Sequence, residues 1–242
     1  MTPPTTVIWH DVECGSYDVD LPLWRELAAE AGGPILDVGA GTGRVTLDLA
    51  RRGHEVIALD ADAELVAELR ERAAGLPVTA VHADARDFDL GRRVALVIVP
   101  MQTIQLLGGP AGRAGFLRSA ARHLPPGGLL VAALADALEG TAESADGERP
   151  LPDIREIDGT VYASHPVGVR RDATGVVIER IRETVDPAGR RSSEGNEIHL
   201  DTADAATIAA EAAVHGFTAR PPLAVPATDD YVGSEVVVLC RS

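Results

Sequence analysis

The sequence predicts an α/β fold with a doubly wound, mostly parallel sheet and an antiparallel β-meander inserted after strand five. Three observations predict it. Apolar strands alternate strictly with helices from Pro34 to Leu134, the first strand runs into a glycine-rich turn, and the pattern changes to strand-like alternation after residue 152. With 242 residues, of which 45% are hydrophobic, the chain can form one domain that carries an insertion.

The elements predicted in the first half are short buried strands, each followed by a helix. A leading segment of residues 7–20 precedes a helix from Leu21 to Ala31, with Pro22 in its first turn. The next strands are predicted at residues 35–38, 55–60, 78–82, 94–99 and 129–134, with helices at 44–52, 63–74 and 111–123. The apolar strands are expected to be covered on both faces of the sheet.

The second half is predicted to carry the insertion and then complete the sheet. Residues 136–152 are rich in Glu, Asp, Gly and Ala and predict a mobile connection. Strands are predicted at 160–170, 176–185 and 192–200, followed by a helix at 203–215 and a hairpin of 217–225 with 235–240. The chain therefore divides into an N-terminal lid segment and helix (1–33), a core (34–135), a linker and cap (136–201) and a C-terminal helix and hairpin (202–242).

The glycine-rich turn carries the most specific signal. It reads Asp37-Val-Gly39-Ala-Gly41-Thr-Gly43, and glycines at every second position allow the backbone to turn tightly and lie against a ligand. The amides of the turn and of the following helix can donate to a polar or anionic group. Dinucleotide sites need G-x-G-x-x-G, and Arg44 stands where that pattern requires its third glycine.

Acidic residues follow two further strands. Strand 55–60 ends with Asp60, which can accept hydrogen bonds from both hydroxyl groups of a ribose. Strand 78–82 is followed by Asp84. Three strand ends with an acidic residue at regular spacing are a much stronger signal than one glycine turn.

These motifs resemble the class I S-adenosylmethionine-dependent methyltransferases of the small-molecule type, over about Pro34 to Leu134. The resemblance implies a Rossmann-like, seven-stranded sheet, with S-adenosylmethionine (SAM) as the cofactor bound by the core. The cofactor-binding residues that it implies are Asp37, Gly39, Ala40 and Gly41 for the amino acid part, Asp60 for the ribose, Ala61, Asp84 and Ala85 for the adenine, and Pro100 near the sulfonium.

No motif identifies the acceptor. The residues after strand four lack the acidic or Asn-Pro-Pro signature familiar in the resembled family, and Gln105 there is expected to be a solvated helix-start residue. The candidate catalytic residues are His10 and Tyr17 of the leading segment and Gln102 after strand four. Further candidate bases on the meander are His165, Glu179 and His199, and each of these can instead be an ordinary surface residue. Trp9 and Trp24 are expected to dock the leading segment onto the sheet.

Composition excludes several function classes. The net charge of −15 argues against DNA or RNA as substrate and mildly favours a neutral or cationic small molecule. The chain contains no lysine, which removes Tyr-x-x-x-Lys dehydrogenase, P-loop and Schiff-base chemistry. Cys14 and Cys240 lack metal-ligand spacing, so no metal is expected. Without a secretory signal or an apolar run of membrane-spanning length, a cytoplasmic protein without a membrane partner is expected.

The sequence therefore predicts transfer of a methyl group from SAM to a small-molecule acceptor by in-line SN2 displacement. Three alternatives stay open: a non-catalytic SAM-binding protein, a peptide or protein methyltransferase and, least favoured, a nicotinamide-dependent oxidoreductase. The methylated atom, O, N, C or S, is not specified. The inserted strands could form a lid or the edge of a homodimer.

Overall fold

The computed structural model describes residues 2–135, 151–173, 175–228 and 233–242. Its helices are α1 (Thr5–Cys14), α2 (Leu21–Ala31), α3 (Arg44–Arg51), α4 (Ala63–Arg72), a 3-10 helix (Thr103–Leu106), α5 (Gly109–His123) and α6 (Ala205–Val214). Its strands are β1 (Ile35–Val38), β2 (Val56–Asp60), β3 (Val78–His82), β4 (Leu96–Val99), β5 (Leu129–Leu134), β6 (Asp153–Ile157), β7 (Thr160–Arg171), β8 (Gly175–Val185), β9 (Arg191–Asp201), β10 (Phe217–Ala219), β11 (Leu223–Val225) and β12 (Ser234–Arg241). Residues 136–150 of the predicted linker lie outside this description. None of the described helices is long and apolar enough to cross a membrane.

The central sheet confirms the predicted fold class. Its strands follow the order β10–β12–β5–β4–β1–β2–β3, and β11 also pairs with β12. Strands β1 to β5 are parallel, with Ile35 of β1 opposite Val56 of β2 and Leu96 of β4, whereas β12 runs antiparallel to β5. The carboxyl ends of the parallel strands therefore meet at one edge, where the predicted site residues lie.

Side-chain alternation along β1 divides the core into two layers. Leu36 and Val38 pack in the cluster that contains side chains of α5 and α6, whereas Ile35 packs in the cluster that contains α2 and α3. All four residues of β1 are buried, as expected for a strand covered on both faces. Trp24 is fully buried among side chains of β1, β2 and β4, which docks α2 on the sheet as predicted. Its indole N–H donates to Asp20, directly before the helix, at 2.7 Å.

The inserted cap is a four-stranded antiparallel sheet in the order β6–β7–β8–β9. The sequence predicted β7, β8 and β9 within a few residues, but not β6. The segment Asp-Ile-Arg-Glu-Ile of β6 is short and does not alternate regularly, so its strand conformation depends on pairing with β7. The register of β7 against β8 shifts between Pro166 and Gly168, because proline has no N–H to donate to the ladder.

Two further local predictions were wrong, the docking of Trp9 on the sheet and the continuous strand 217–225; no conformation was predicted for the leading segment. The leading segment forms a helix, α1, although its start Thr-Thr-Val-Ile is β-branched and has low helix propensity. Tertiary packing stabilises α1: Trp9 packs edge-on against Tyr162 of the cap at 5.5 Å, so Trp9 docks on the cap and not on the central sheet. The predicted strand 217–225 is divided into β10 and β11, because Pro221 and Pro222 interrupt its pairing with β12.

A buried ion-pair cluster joins α5, α6 and the end of the cap. The Arg113 side chain is almost completely buried, and its Nε and Nη2 each donate to the Glu211 carboxylate at 2.8 Å. Its Nη1 donates to the Asp201 carboxylate, at the end of β9, at 3.2 Å. A buried guanidinium is tolerated here because its hydrogen bonds go to two acidic partners.

We expect the substitution Arg113→Met to lower the free energy of unfolding by about 3–5 kcal/mol, because it leaves two carboxylates beside a buried apolar side chain. Urea denaturation measures this loss. The control is Arg92→Met, which removes an exposed ion pair with Glu55 (2.6 Å) and should cost about 1 kcal/mol or less. Equal losses in the two variants would contradict the structural role given to Arg113.

Candidate functional site

A cavity opens at the carboxyl ends of β1 and β4, where α1 crosses the glycine-rich turn. It is lined by His10, Cys14, Asp37, Gly39, Ala40, Arg44, Val45, Pro100, Met101 and Thr103. Ligands of open α/β sheets bind at this edge. The structure therefore brings five of the residues singled out in the sequence into one place: His10, Asp37, Gly39, Ala40 and Pro100.

Gly39 and Gly41 of the glycine-rich turn have no room for a β-carbon. Gly39 and Gly41 have φ angles of 72° and 55°, a left-handed conformation that favours glycine. A β-carbon on Gly39 would overlap the Thr103 side chain, and one on Gly41 would overlap the His10 ring. The Gly39 amide donates to the carbonyl of Leu59 in β2 at 2.8 Å, which fixes the turn against the sheet.

Asp37 is buried beneath the turn and has an unused hydrogen-bonding atom. Its Oδ2 accepts from the Thr46 hydroxyl at 2.6 Å, whereas its Oδ1 has no partner among the described residues. Burial raises the pKa of Asp37 to about 6, against the opposing effects of the Thr46 hydrogen bond and the Arg44 charge. A buried carboxylate oxygen beside a cavity is suited to accept from a cationic ligand group such as an ammonium.

The Asp60 carboxylate is held by main-chain amides. Its Oδ2 accepts from Gly41 at 2.8 Å and its Oδ1 accepts from Asp62 at 2.9 Å. Each carboxylate oxygen can accept more than one hydrogen bond, so these contacts orient the group and leave capacity for ligand hydroxyls. Asp60 and the exposed Ala61 lie at the end of β2 but do not line the cavity itself.

Asp84 lies outside the cavity lining and is bound by its neighbour. The Arg86 side chain donates to it at 2.6–3.0 Å, as does the Arg86 amide at 2.8 Å. These hydrogen bonds lower the pKa of the exposed Asp84 carboxyl. Ala85 beside it is buried. The role of Asp84 and Ala85 at an adenine edge stays a prediction.

His10 lies directly over the glycine-rich turn. Its Nδ1 is 3.3 Å from the Thr42 hydroxyl, and that hydroxyl donates to Asp11 at 2.7 Å. Burial lowers the pKa of His10, although the nearby carboxylates of Asp11 and Asp60 oppose the shift. The imidazole is therefore neutral at neutral pH, which is the form that can accept a proton.

The other catalytic candidates are less directly placed. The centre of the Tyr17 ring lies 5.0 Å from the Arg44 guanidinium. Arg44 lines the cavity, whereas Tyr17 does not. Gln102 is half-buried at the start of the 3-10 helix, between the lining residues Met101 and Thr103. On the cap, Glu179 forms an ion pair with Arg170 at 2.8 Å. Neither Glu179, His165 nor His199 lines the cavity.

Arg44 is a site residue whose importance the sequence did not reveal. It was noted only as a departure from the dinucleotide pattern, yet it lines the cavity and donates to both oxygens of Asp20 at 2.5 and 2.8 Å. It also donates to the Tyr17 carbonyl at 2.8 Å. A basic residue directly after the last glycine was the available signal.

Among the described residues, no group of three or more His, Cys, Asp or Glu side chains is arranged to hold a metal ion. The groups that face a ligand are instead the Asp37 oxygen, which has no partner among the described residues, and the exposed Gly39. The amides of Gly39, Ala40 and Gly41 donate within the protein, to Leu59 and Asp60, so the expectation that the turn offers free amides is not met here.

Comparison with known proteins identifies the core. Residues 35–128, from β1 to the turn before β5, match a family model described as a methyltransferase domain. Residues 35–128 are a methyltransferase domain. Together with the solved structures below, this match confirms the predicted class, the class I, Rossmann-like SAM-dependent methyltransferases, and SAM as the cofactor of the domain.

Relatives in sequence include methyltransferases of different acceptors. The chain is 30% identical over 160 residues to a cypemycin N-terminal methyltransferase from Streptomyces sp., which covers 66% of this chain and 58% of that protein. It is 44% identical over 79 residues to a ribosomal RNA small subunit methyltransferase A from Deinococcus radiodurans, which covers 31% and 27%. The chain thus spans less than two thirds of the length of these relatives.

Solved structures match over nearly the whole chain. The SAM-bound amino pentose methyltransferase CalS10 from Micromonospora echinaspora has a TM-score of 0.74 and 21% identity, covering 100% of this chain and 99% of that one. The SAM complex of the glycopeptide N-methyltransferase MtfA has a TM-score of 0.58 and 27% identity, covering 94% and 96%. One group of the chain fits the cofactor directly: the buried Asp37 oxygen that has no partner among the described residues suits its ammonium, and the exposed Gly39 lies beside it in the cavity lining.

We expect Asp37→Asn to weaken the binding of S-adenosylhomocysteine (SAH) by about 10–100-fold at pH 7.5, because a hydrogen bond between charged groups is lost. Calorimetric titration measures the affinity. For the wild type, the affinity should fall as pH decreases through about 6, where Asp37 becomes protonated, and the Asn variant should lack this dependence.

The same substitution has a second expected result in the absence of ligand. The folded-state pKa of Asp37 lies above its ordinary value of 3.8, so its contribution to stability is present at low pH and lost as pH rises through about 6. Asp37→Asn should therefore unfold at an equal or higher temperature than the wild type at pH 7.5. A large loss of stability would show that the carboxylate is needed for folding itself.

Proposed function

We propose that the protein is an enzyme that transfers a methyl group from SAM to the nitrogen of a small-molecule amine. The observation that carries the proposal is the cavity at the end of β1, where the glycine-rich turn lies over an Asp37 oxygen that has no partner among the described residues, inside a region that matches a methyltransferase domain. A SAM-binding protein without activity and a nicotinamide enzyme are not favoured by the comparisons.

The residues of the turn would hold the methyl donor. Asp37 and the backbone of Gly39, Ala40 and Gly41 would bind its amino acid part, and Asp60 its ribose. Ala61, Asp84 and Ala85 would contact the adenine, and Pro100 would lie near the sulfur. When bound, SAM supplies a methyl group on a positively charged sulfur, so the protein needs mainly to align the acceptor and exclude water.

An amine acceptor fits the relatives and the site. CalS10 is named as an amino pentose methyltransferase and MtfA as a glycopeptide N-methyltransferase. The relative from Streptomyces sp. is named as an N-terminal methyltransferase of cypemycin. An amine that binds as its ammonium form must lose a proton before its lone pair can attack, and neutral His10 in the cavity lining can accept that proton. Gln102 would orient the acceptor from the tip of β4, and Tyr17, which follows α1, would act through the Arg44 guanidinium stacked on its ring.

The roof over this space is α1, held by ion pairs to the core and to the cap. Asp11 accepts from Arg72 of α4 at 2.6 Å, and Glu13 accepts from Arg182 of β8 at 2.8 Å. Burial raises the pKa of Glu13, but the bonds from Arg182 and Ser164 more than offset it and lower the pKa. Glu13 thus stays ionised at neutral pH, and the acceptor would bind between α1, the tip of β4 and the cap.

A peptide N-terminus is the second candidate acceptor, because the relative with the longest sequence match described above is an N-terminal methyltransferase. Ribosomal RNA, the acceptor named for another relative, is disfavoured by the net charge of −15, which repels phosphate. A cytoplasmic location and a homodimer through the cap stay predictions, and a mass measurement in solution tests the latter.

Thermal unfolding with SAH, SAM, NAD and NADP tests the cofactor assignment. A ligand at about 100 times its dissociation constant stabilises by about 2.7 kcal/mol, a shift of about 5–10 °C for a chain of this size. We expect the unfolding temperature of the wild type to rise with SAH and SAM only. It should not rise for Asp60→Ala, which lacks the carboxylate proposed to bind the ribose. A shift with NAD alone, or with none of the four compounds, would overturn the proposal.

We expect His10→Gln to lower kcat for an amine acceptor by about 100-fold or more while SAH affinity changes little, because glutamine keeps most of the volume but is not a base. In the wild type, kcat/KM should depend on a group with a pKa below the ordinary 6.5 of histidine. His165→Gln on the cap is the matched control. An unchanged kcat in His10→Gln would remove His10 from the proton transfer.

A further inference from the structure

The 3-10 helix after β4 is bonded to both points where the cap joins the central fold. The outgoing root is Ala135, directly after β5, and the returning root is Asp201, the last residue of β9. The Gln105 side chain donates from Nε2 to the carbonyls of Ala135 (3.4 Å) and Asp201 (3.2 Å). Its Oε1 accepts from the Ala135 amide at 2.8 Å. One side chain therefore holds the two roots together.

Gln105 is 4% exposed, so the expectation of a solvated residue was wrong. Its amide makes three hydrogen bonds, both as donor and as acceptor, and all three go to main-chain groups of the roots. A buried group with this many bonds is costly to replace, because its partners are left unpaired.

The other end of the same helix touches the cofactor-binding turn. Thr103, two residues before Gln105, lies where a β-carbon of Gly39 would be, and its hydroxyl donates to the Pro100 carbonyl at 3.0 Å. The main-chain N–H of Gln105 donates to the main-chain carbonyl of Gln102 at 2.9 Å. A short rigid segment thus runs from the glycine-rich turn to the roots of the cap.

The two roots are not held equally. The returning root has an independent anchor, because the Asp201 carboxylate also accepts from the Gly109 amide and from Arg113. The outgoing root, Ala135, has both its amide and its carbonyl bonded to Gln105. Gln105 therefore provides a direct route, among the described residues, by which a displacement at the tip of β4 would reach Ala135.

We infer that Gln105 is a positioning residue that couples the occupied cofactor site to the cap over the acceptor. The inference rests on the proposed function, since it assumes that the cavity binds the methyl donor. Binding at the turn fixes Thr103, Gln105 transfers this order to Ala135 and Asp201, and the cap is held in register with the tip of β4.

Hydrogen exchange of the cap strands β7, β8 and β9, with and without saturating SAH, tests the coupling. In the wild type we expect SAH to slow exchange in these strands at least threefold. In Gln105→Met, which has a similar shape without the hydrogen bonds, this slowing should disappear and SAH should bind about 3–10-fold more weakly. Because coupling is reciprocal, both effects should occur together.

Two controls separate positioning from general destabilisation. Leu117→Ala leaves a cavity in the core at α5, away from the two roots. This variant should have a lower unfolding temperature, but SAH should still slow hydrogen exchange in its cap strands. Asp201→Asn keeps the carbonyl bonded to Gln105 and weakens the returning anchor, so most of the slowing should remain.

The outcomes distinguish this inference from the proposed function. If wild-type protein binds SAH without slower exchange in the cap, or if Gln105→Met keeps the full slowing, the coupling is overturned and the cofactor assignment stands. If the wild type does not bind SAH, the proposed function fails. In that case, hydrogen exchange without ligand tests the role of Gln105. Equal exchange rates of the cap strands in the wild type and in Gln105→Met would show that Gln105 does not hold the roots.

Discussion

The site depends on a steric constraint, the lack of space for β-carbons in the glycine-rich turn. Thr103 lies against Gly39 and the His10 ring against Gly41, so a larger residue at either position would displace an element that forms the cavity wall. The same turn is tied to β2 through the Leu59 carbonyl and the Asp60 carboxylate. The tip of β4, the helix α1 and the sheet edge therefore share one set of close contacts.

The two acidic residues of this site differ in what holds them. Asp60 is fixed by main-chain amides and stays partly open to solvent, which suits neutral hydroxyl partners. Asp37 is buried, one of its oxygens has no partner among the described residues, and burial raises its pKa because an ionised carboxylate is costly in that position. A cationic ligand group would offset that cost, so ligand binding would stabilise the ionised form of Asp37.

Polar groups attach the cap to the core, beside the apolar contact of Trp9 with Tyr162. Asp11 and Glu13 of α1 bind Arg72 of the core and Arg182 of the cap. Gln105 holds the two roots of the cap. Apolar surfaces adapt to small shifts, whereas hydrogen bonds with fixed geometry specify one arrangement. Such a fixed arrangement would suit the proposed acceptor site, which would be built from two sheets and a helix that are distant in sequence.

The sequence alone determined the alternation of strands and helices, the glycine-rich turn and the acids at the strand ends, because each is a local pattern with its own period or spacing. The tertiary structure alone decided the rest. The β-branched start of α1 is helical because Trp9 packs on Tyr162, and β6 is a strand because β7 pairs with it. Gln105 is buried because residues 30 and 96 positions away meet at its amide. Such contacts depend on where distant segments meet, which no local pattern records.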